Sequence, residues 1–141
     1  MLKKTIKYVD YDGNERIEEY YFNLSKAELT EMEMSENGGF DKFIEKIIEE
    51  QDNKQIYALF KELVLMSYGE KSYDGKHFIK KKMMDGQMIR LRDMFEQTEA
   101  FTELMMELIS GGETAASDFI NKVVPKELAD QIAQQQMPTH G

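Results

Sequence analysis

Cysteine and tryptophan are both missing from the 141 residues. Without thiols the chain can form no disulfide, no thiolate nucleophile and no cysteine-based zinc site, a composition that suits a reducing cytoplasm. Long apolar runs are missing too, since a charge interrupts each within a few residues, whereas a bilayer-spanning helix needs roughly 20. No membrane association is expected. The N-terminal MLKKTIKYVDYDG brings in Asp10 and Asp12 where a signal peptide needs an apolar stretch, so no export signal is expected. Positive charge is in short supply: 18 Lys and Arg against 27 Asp and Glu give a net charge of −9. A phosphate backbone would be repelled over most of such a surface, which argues against nucleic acid as a partner.

Catalytic patterns are also lacking. The GEKS at residues 69–72 has Glu70 where a phosphate-binding loop needs lysine, and the upstream glycine is absent. His77 has no second histidine or carboxylate at metal-ligand spacing and reads as a structural histidine. No cofactor and no metal are expected.

What is present is periodicity. Ile56, Leu59, Phe60, Leu63 and Val64 follow the spacing of one helix face. Asp52 with Gln55 supplies an N-cap, and Gly69 offers a stop through its tolerance of positive φ. The rest of the chain is organised around this central helix, and the segments after it are expected to be helices packed back on it. At this length one core suffices, with roughly two thirds of the unfolded surface buried. Residues 1–133 are expected to form one domain and 134–141, QQQMPTHG, a frayed tail.

Before the central helix, residues 3–22 alternate as a β-hairpin, with Asp12-Gly13 as a two-residue turn signal. Ser25 and Glu28 form a capping box, and Leu24 with Leu29 a hydrophobic staple, so a short helix runs from Lys26 to about Met34. Ser35 to Gly39 ends it, and a second helix has Phe40, Phe43, Ile44, Ile47 and Ile48 on its apolar face. Beyond the central helix, Tyr73-Asp74-Gly75-Lys76 reads as a tight turn, in a small second hairpin that returns Phe78 and Ile79 to the core. Asp85-Gly86 marks a break. Asp93 to Ile109 reads as one helix, Ser110-Gly111-Gly112 as its stop, and Thr114 to Val124 as a restart. Pro125 opens a final helix, KELADQIAQQQ. The fold class is therefore α+β, an N-terminal hairpin on a mainly helical bundle of about five to seven helices.

Two excesses point to partners. From Lys76 to Arg92 there are six basic residues against one acid, a local +5 in an acidic chain. Along the later helix Glu96, Glu99, Glu103 and Glu107 fall three or four residues apart on one face. Lys80, Lys81, Lys82, Arg90 and Arg92 of one copy against that stripe on another would give a homo-oligomer. The second excess is 11 methionines. Methionine is flexible and polarizable and adapts to varied apolar shapes, so Met83, Met84, Met88, Met105 and Met106 are the candidate partner-binding residues.

Four pieces, YFNLSKAELTEMEMS, LVLMSYGEKSYDGKHFIK, FEQTEAFTELMMELI and FINKVVP, stand in an order and spacing that resembles the tail assembly chaperone family of long-tailed bacteriophages infecting Gram-positive bacteria. The likeness runs over about residues 5–128, is strongest in YGEKS-x-DG-x-x-FIK at 68–80 and loosest at Lys81 to Leu91. It implies a non-enzymatic protein that binds the tape measure protein, keeps it soluble in the host cytoplasm, gives way to the tail tube protein and is absent from the finished virion. It also implies that a longer, frameshifted form can exist, with Gly141 suiting the short one.

Two other classes compete. A metal-dependent nuclease would use Asp10, Asp12 and Asp74, but these sit at turns where aspartate serves local hydrogen bonding, with no lysine-acid motif beside them. A tail completion or connector protein would be a structural part of the virion.

Overall fold

The computed structural model describes residues 1–34, 39–49 and 52–127. The breaks expected at 35–38 and 50–51, the part of the expected final helix beyond Glu127 and the expected frayed tail at 134–141 fall outside the described residues.

Strands β1 (Leu2–Val9) and β2 (Glu15–Phe22) pair antiparallel along their whole length, from Leu2 opposite Phe22 to Val9 opposite Glu15. Their connection is not the two-residue turn expected at Asp12-Gly13. Asp10 N–H donates to the Asn14 carbonyl at 2.9 Å, enclosing a three-residue loop in which Gly13 takes φ +85°, the arrangement of a type I turn followed by a left-handed residue. Asp10 holds the loop shut by accepting from the Asp12 and Asn14 N–H groups at 2.9 Å each and from Arg16 Nε at 2.6 Å. The Arg16 guanidinium, with help from those backbone donors, pulls the Asp10 carboxyl below the usual carboxylate range.

The hairpin is half of a larger sheet. Phe22 pairs with Tyr68 and Tyr21 with Gly69 at the start of β3 (Tyr68–Lys71), which pairs in turn with β4 (Phe78–Ile79), giving the order β1-β2-β3-β4. Five helices lie among the described residues: α1 (Lys26–Glu33), α2 (Gly39–Glu49), α3 (Asn53–Ser67), α4 (Leu91–Phe95) and α5 (Glu99–Val123). The α+β class and the N-terminal hairpin are as expected from the sequence. The small second hairpin expected around Tyr73 to Lys76 is present as β3 and β4, whereas the helices expected to follow it are preceded by a further hairpin of β5 (Lys81–Met84) and β6 (Gln87–Arg90).

Helix starts follow the side chains that can satisfy free N–H groups. Ser25 Oγ accepts from Glu28 N–H at 3.1 Å while Glu28 Oε1 accepts from Ser25 N–H at 2.9 Å, closing the capping box. Leu24 and Leu29 are both buried beside it. Asp52 caps α3 by accepting from Lys54 N–H at 2.9 Å. The segment read as one helix from Asp93 is broken at Gln97, because Thr98 Oγ1 accepts from Phe101 N–H at 3.2 Å and starts α5 afresh. The stop at Ser110 to Gly112 survives as a kink, with Gly112 at φ +63° and ψ −147° inside α5.

The core forms where β2, α3, α4 and α5 converge. Phe22, Leu24, Leu63, Val64, Phe95, Leu104, Ile120 and Val123 are at most 2% exposed. Two main-chain bonds tie the convergence: Asn23 N–H to the Ser67 carbonyl at 2.7 Å, and Leu24 N–H to the Val123 carbonyl at 2.8 Å. The end of β2 is thereby fixed to the C-terminal ends of both long helices.

Gly69 serves a different purpose from the one its position after a helix suggests. Tyr68 already closes α3, and Gly69, at negative φ, is a buried β3 residue. A Cβ there would stand 2.5 Å from the Phe78 ring and 2.8 Å from the Ile79 carbonyl oxygen. Gly69→Ala is therefore expected to cost about 1–3 kcal/mol by forcing β4 off β3, read as a lowered urea midpoint with unchanged m. A variant as stable as the wild type would show that β4 is free to shift.

Candidate functional site

The part of the sequence least like the family carries three exposed methionines. Asp85 and Gly86, at φ +51° and +78°, form the two-residue turn of a β5–β6 ribbon in which Met84 faces Gln87, Met83 faces Met88, and Lys81 faces Arg90. Successive positive φ values at Asp-Gly match the right-handed twist of a two-stranded ribbon. Every residue of the ribbon except Ile89 is exposed, and Met83, Met84 and Met88 are 64%, 40% and 56% exposed. Large apolar side chains on both faces of an unsupported ribbon add nothing to a core, which makes them available for a partner.

At its base the ribbon is anchored by charge. Leu91 N–H donates to the Lys80 carbonyl at 2.9 Å. Lys80 Nζ reaches down to the Glu28 carboxylate and to the Met66 carbonyl, the latter at 2.8 Å. Burial pushes the Lys80 ammonium below the usual lysine range, with Glu28 pulling it back up. Arg92 makes a two-pronged contact with Glu62 of α3 at 3.2 and 3.0 Å, Arg90 another with Asp93 at 3.0 Å each, and Lys82 meets Glu70 at 2.9 Å.

These contacts change the meaning of the local +5. Lys80, Lys82, Arg90 and Arg92 are all engaged within the chain, and among the described residues only Lys81 of the five candidate bases has no ion-pair partner. Two members of the glutamate stripe are engaged likewise: Glu96 pairs with Lys61 at 2.7 Å and Glu107 with Lys4 of β1, while the nearby Glu99 pushes up the pKa of the Tyr11 hydroxyl, which donates to the Gln97 carbonyl at 3.4 Å. Glu99 and Glu103 have no ion-pair partner among the described residues. Glu96, at the end of α4, meets α3 and Glu107 meets β1, so part of the charge that looks like one half of an intermolecular contact is neutralised within the chain.

The candidate methionines separate in the same way. Met83, Met84 and Met88 share the ribbon. Met106 is exposed on α5 with Ile109 one turn on, whereas Met105, 1% exposed, belongs to the core and presents no surface to a partner. The spacing explains the split, since Met105 falls on the face of Phe101, Leu104 and Leu108. Met94 is 47% exposed on α4 just after the ribbon.

Next to the ribbon base lies an open groove of about 630 Å³ between α1, α2 and α3, floored by Leu24, Met32, Phe43 and Met66. Glu28 and Glu62, which hold the ribbon, also line it. Sequence reading missed this groove because Met32, Phe43 and Met66 satisfy helical periodicity as well as core residues do. Two of the three turn aspartates are spent locally: Asp10 on its loop, and Asp74 by accepting from Ser72 Oγ at 2.7 Å and Lys76 N–H at 3.0 Å. Among the described residues no three acids or histidines are gathered to hold a metal.

A family model of phage tail assembly chaperones matches residues 1–140. The chain belongs to the phage tail assembly chaperone family. That match spans the ribbon as well as the pieces that resemble the family most. No curated protein and no solved structure matches the chain. For a tail assembly chaperone the relevant chemistry is recognition of a tail protein. No described helix is long and apolar enough to cross a membrane.

Proposed function

We propose that the chain is a non-catalytic chaperone that binds the tape measure protein in the host cytoplasm, keeps its helices from aggregating, and yields them to tail tube subunits, leaving no copy in the finished virion. The observation that carries this reading is the methionine-bearing ribbon, whose three exposed methionines stand clear of the core on a charge-anchored base. An amphipathic helix offers apolar side chains of varied shape along one face, and methionine adapts to such variety at little cost. The acidic surface supports the same role, since a net charge of −9 keeps loaded complexes apart.

Met83→Glu/Met88→Glu is expected to abolish co-purification with a co-expressed tape measure protein while leaving the unfolding midpoint unchanged, because both side chains are exposed. Normal capture by this variant would remove the ribbon from the binding surface. Detection of the protein in purified particles would replace the chaperone reading with that of a structural tail component.

A further inference from the structure

We infer that Met83, Met84 and Met88 form a modification site: oxidation of their thioethers to sulfoxides by hydrogen peroxide switches off apolar capture by the β5–β6 ribbon and leaves the fold intact. This rests on the reading of the ribbon as the capturing surface and adds a means of regulating it. The chain has no cysteine and no tryptophan, so its thioethers are the side chains most open to a peroxide. Each conversion moves one oxygen from the peroxide to sulfur. An S–O bond forms on a sulfur lone pair as the O–O bond breaks, so sulfur is oxidised by two electrons and the peroxide reduced by the same two. The proton left on the transferred oxygen passes to the departing hydroxide, giving water.

Exposure decides which sulfurs react. The three ribbon methionines are 40–64% exposed, whereas Met105 is 1% exposed in the core. Met1, Met34, Met94 and Met106 are exposed too, but lie off the ribbon. What sets the three apart is what a sulfoxide removes there. The other exposed ribbon residues are Lys81, Lys82, Asp85, Gly86, Gln87 and Arg90, so the methionines are all of its exposed apolar side chains. Met83 stands opposite Met88 on one face, and Met84 opposite Gln87 on the other, so oxidation turns both faces from apolar to polar. Against an apolar helix face a sulfoxide oxygen loses its water without gaining a donor, which weakens the contact. The fold does not feel the same change. The ribbon base is held by the Lys80–Glu28 and Arg92–Glu62 pairs and by Leu91 N–H donating to the Lys80 carbonyl, none of which involves a sulfur. Methionine sulfoxide reductases reverse the oxidation, so the switch works in both directions.

Graded hydrogen peroxide treatment of the full chain, removal of the peroxide, and capture on an immobilised helical segment of the tape measure protein test this. Peptide mass spectrometry then locates the sulfoxides in the bound and unbound fractions. The unbound fraction is expected to carry sulfoxide at Met83, Met84 or Met88, with capture about tenfold weaker or worse once all three are oxidised. Molecules oxidised only at Met1, Met34 or Met94 should stay bound. Met105 should remain unmodified and the urea midpoint unchanged, and treatment with the reductases should restore capture. Ribbon sulfoxides equally frequent in both fractions, a midpoint that falls as they accumulate, or capture that reduction does not restore would each overturn the inference. The two readings fail differently: a chain that captures nothing before treatment sinks the chaperone reading and the switch with it, whereas full capture after ribbon oxidation sinks the switch alone.

Discussion

Replacing Phe95 by alanine is expected to remove about 3–5 kcal/mol of stability, the range for truncating a large buried aromatic. Phe95 is 2% exposed and is the ring on which four others converge. It stacks on Tyr68 of β3 at 4.1 Å and 9°, and stands 5.3 Å from Tyr20 and 5.8 Å from Phe22 of β2, and 5.6 Å from Phe101 of α5. Its own helix, α4, has five residues, too few to persist without tertiary contacts. Phe95 and Leu91 are the buried side chains that hold it. The alanine variant leaves a cavity bordered by rings from separate elements, which cannot all close in at once. A domain of this kind has about 5–15 kcal/mol in total, so the loss is a large share of it. Phe95→Leu, which keeps most of the volume, should lose markedly less. Urea unfolding of both decides the matter: a cost below about 1 kcal/mol for the alanine would mean that the rings pack around something other than Phe95.

How far such a centre was legible beforehand depended on what each residue has to satisfy locally. The capping box at Ser25 and Glu28 could be read directly because its two hydrogen bonds involve residues three apart and no tertiary partner. The three Asp-Gly pairs were harder. At Asp12-Gly13 a two-residue turn was expected, but the loop takes in Tyr11 as well and closes between Asp10 and Asn14. At Asp85-Gly86, read only as a break, the two-residue turn is found. The dipeptide permits both forms, and flanking alternation selects between them. That alternation is silent in the ribbon because neither face is buried, and lysine and methionine in place of β-branched residues removed the remaining cue.

The candidate site was legible in its parts and not in their arrangement. Exposed methionines at 83, 84 and 88 were recognised from their number alone, whereas Met105 fell to the core because the helix face it shares with Leu104 and Leu108 turns inward. The charge excesses were real, but sequence shows only their sign. The partners lie far along the chain, as with Arg92 and Glu62, 30 residues apart, or Lys80 and Glu28, 52 apart. A net charge counted over a window overstates what the surface presents whenever such pairs close. What the fold leaves unpaired is a shorter set and a more informative one.

Glu28→Ala is expected to cost about 2–3 kcal/mol, more than an exposed helix residue should, because one carboxylate performs two tasks. Oε1 accepts from Ser25 N–H in the capping box, while Oε2 receives Lys80 Nζ. Losing the first leaves a helix N-terminus short of an acceptor, typically about 1 kcal/mol. Losing the second strands an ammonium whose side chain is only 26% exposed and which then keeps the Met66 carbonyl alone. The pH dependence separates these contributions. Lys80 already has a lowered pKa in the folded state, from burial opposed by Glu28, so between its folded and unfolded values the unfolded chain binds the extra proton and stability rises with pH. Without Glu28 the folded value falls further and that rise begins at lower pH. The variant should therefore recover part of its deficit relative to the wild type as pH increases toward the normal lysine range. Adding Lys80→Met should relieve the stranded charge and leave only the cap deficit, so the double variant is expected to be more stable than Glu28→Ala alone. Urea midpoints at several pH values test both points: equal losses in the single and double variants, with no dependence on pH, would mean that Lys80 is solvated well enough to need no partner and that the ribbon base is not held by this pair.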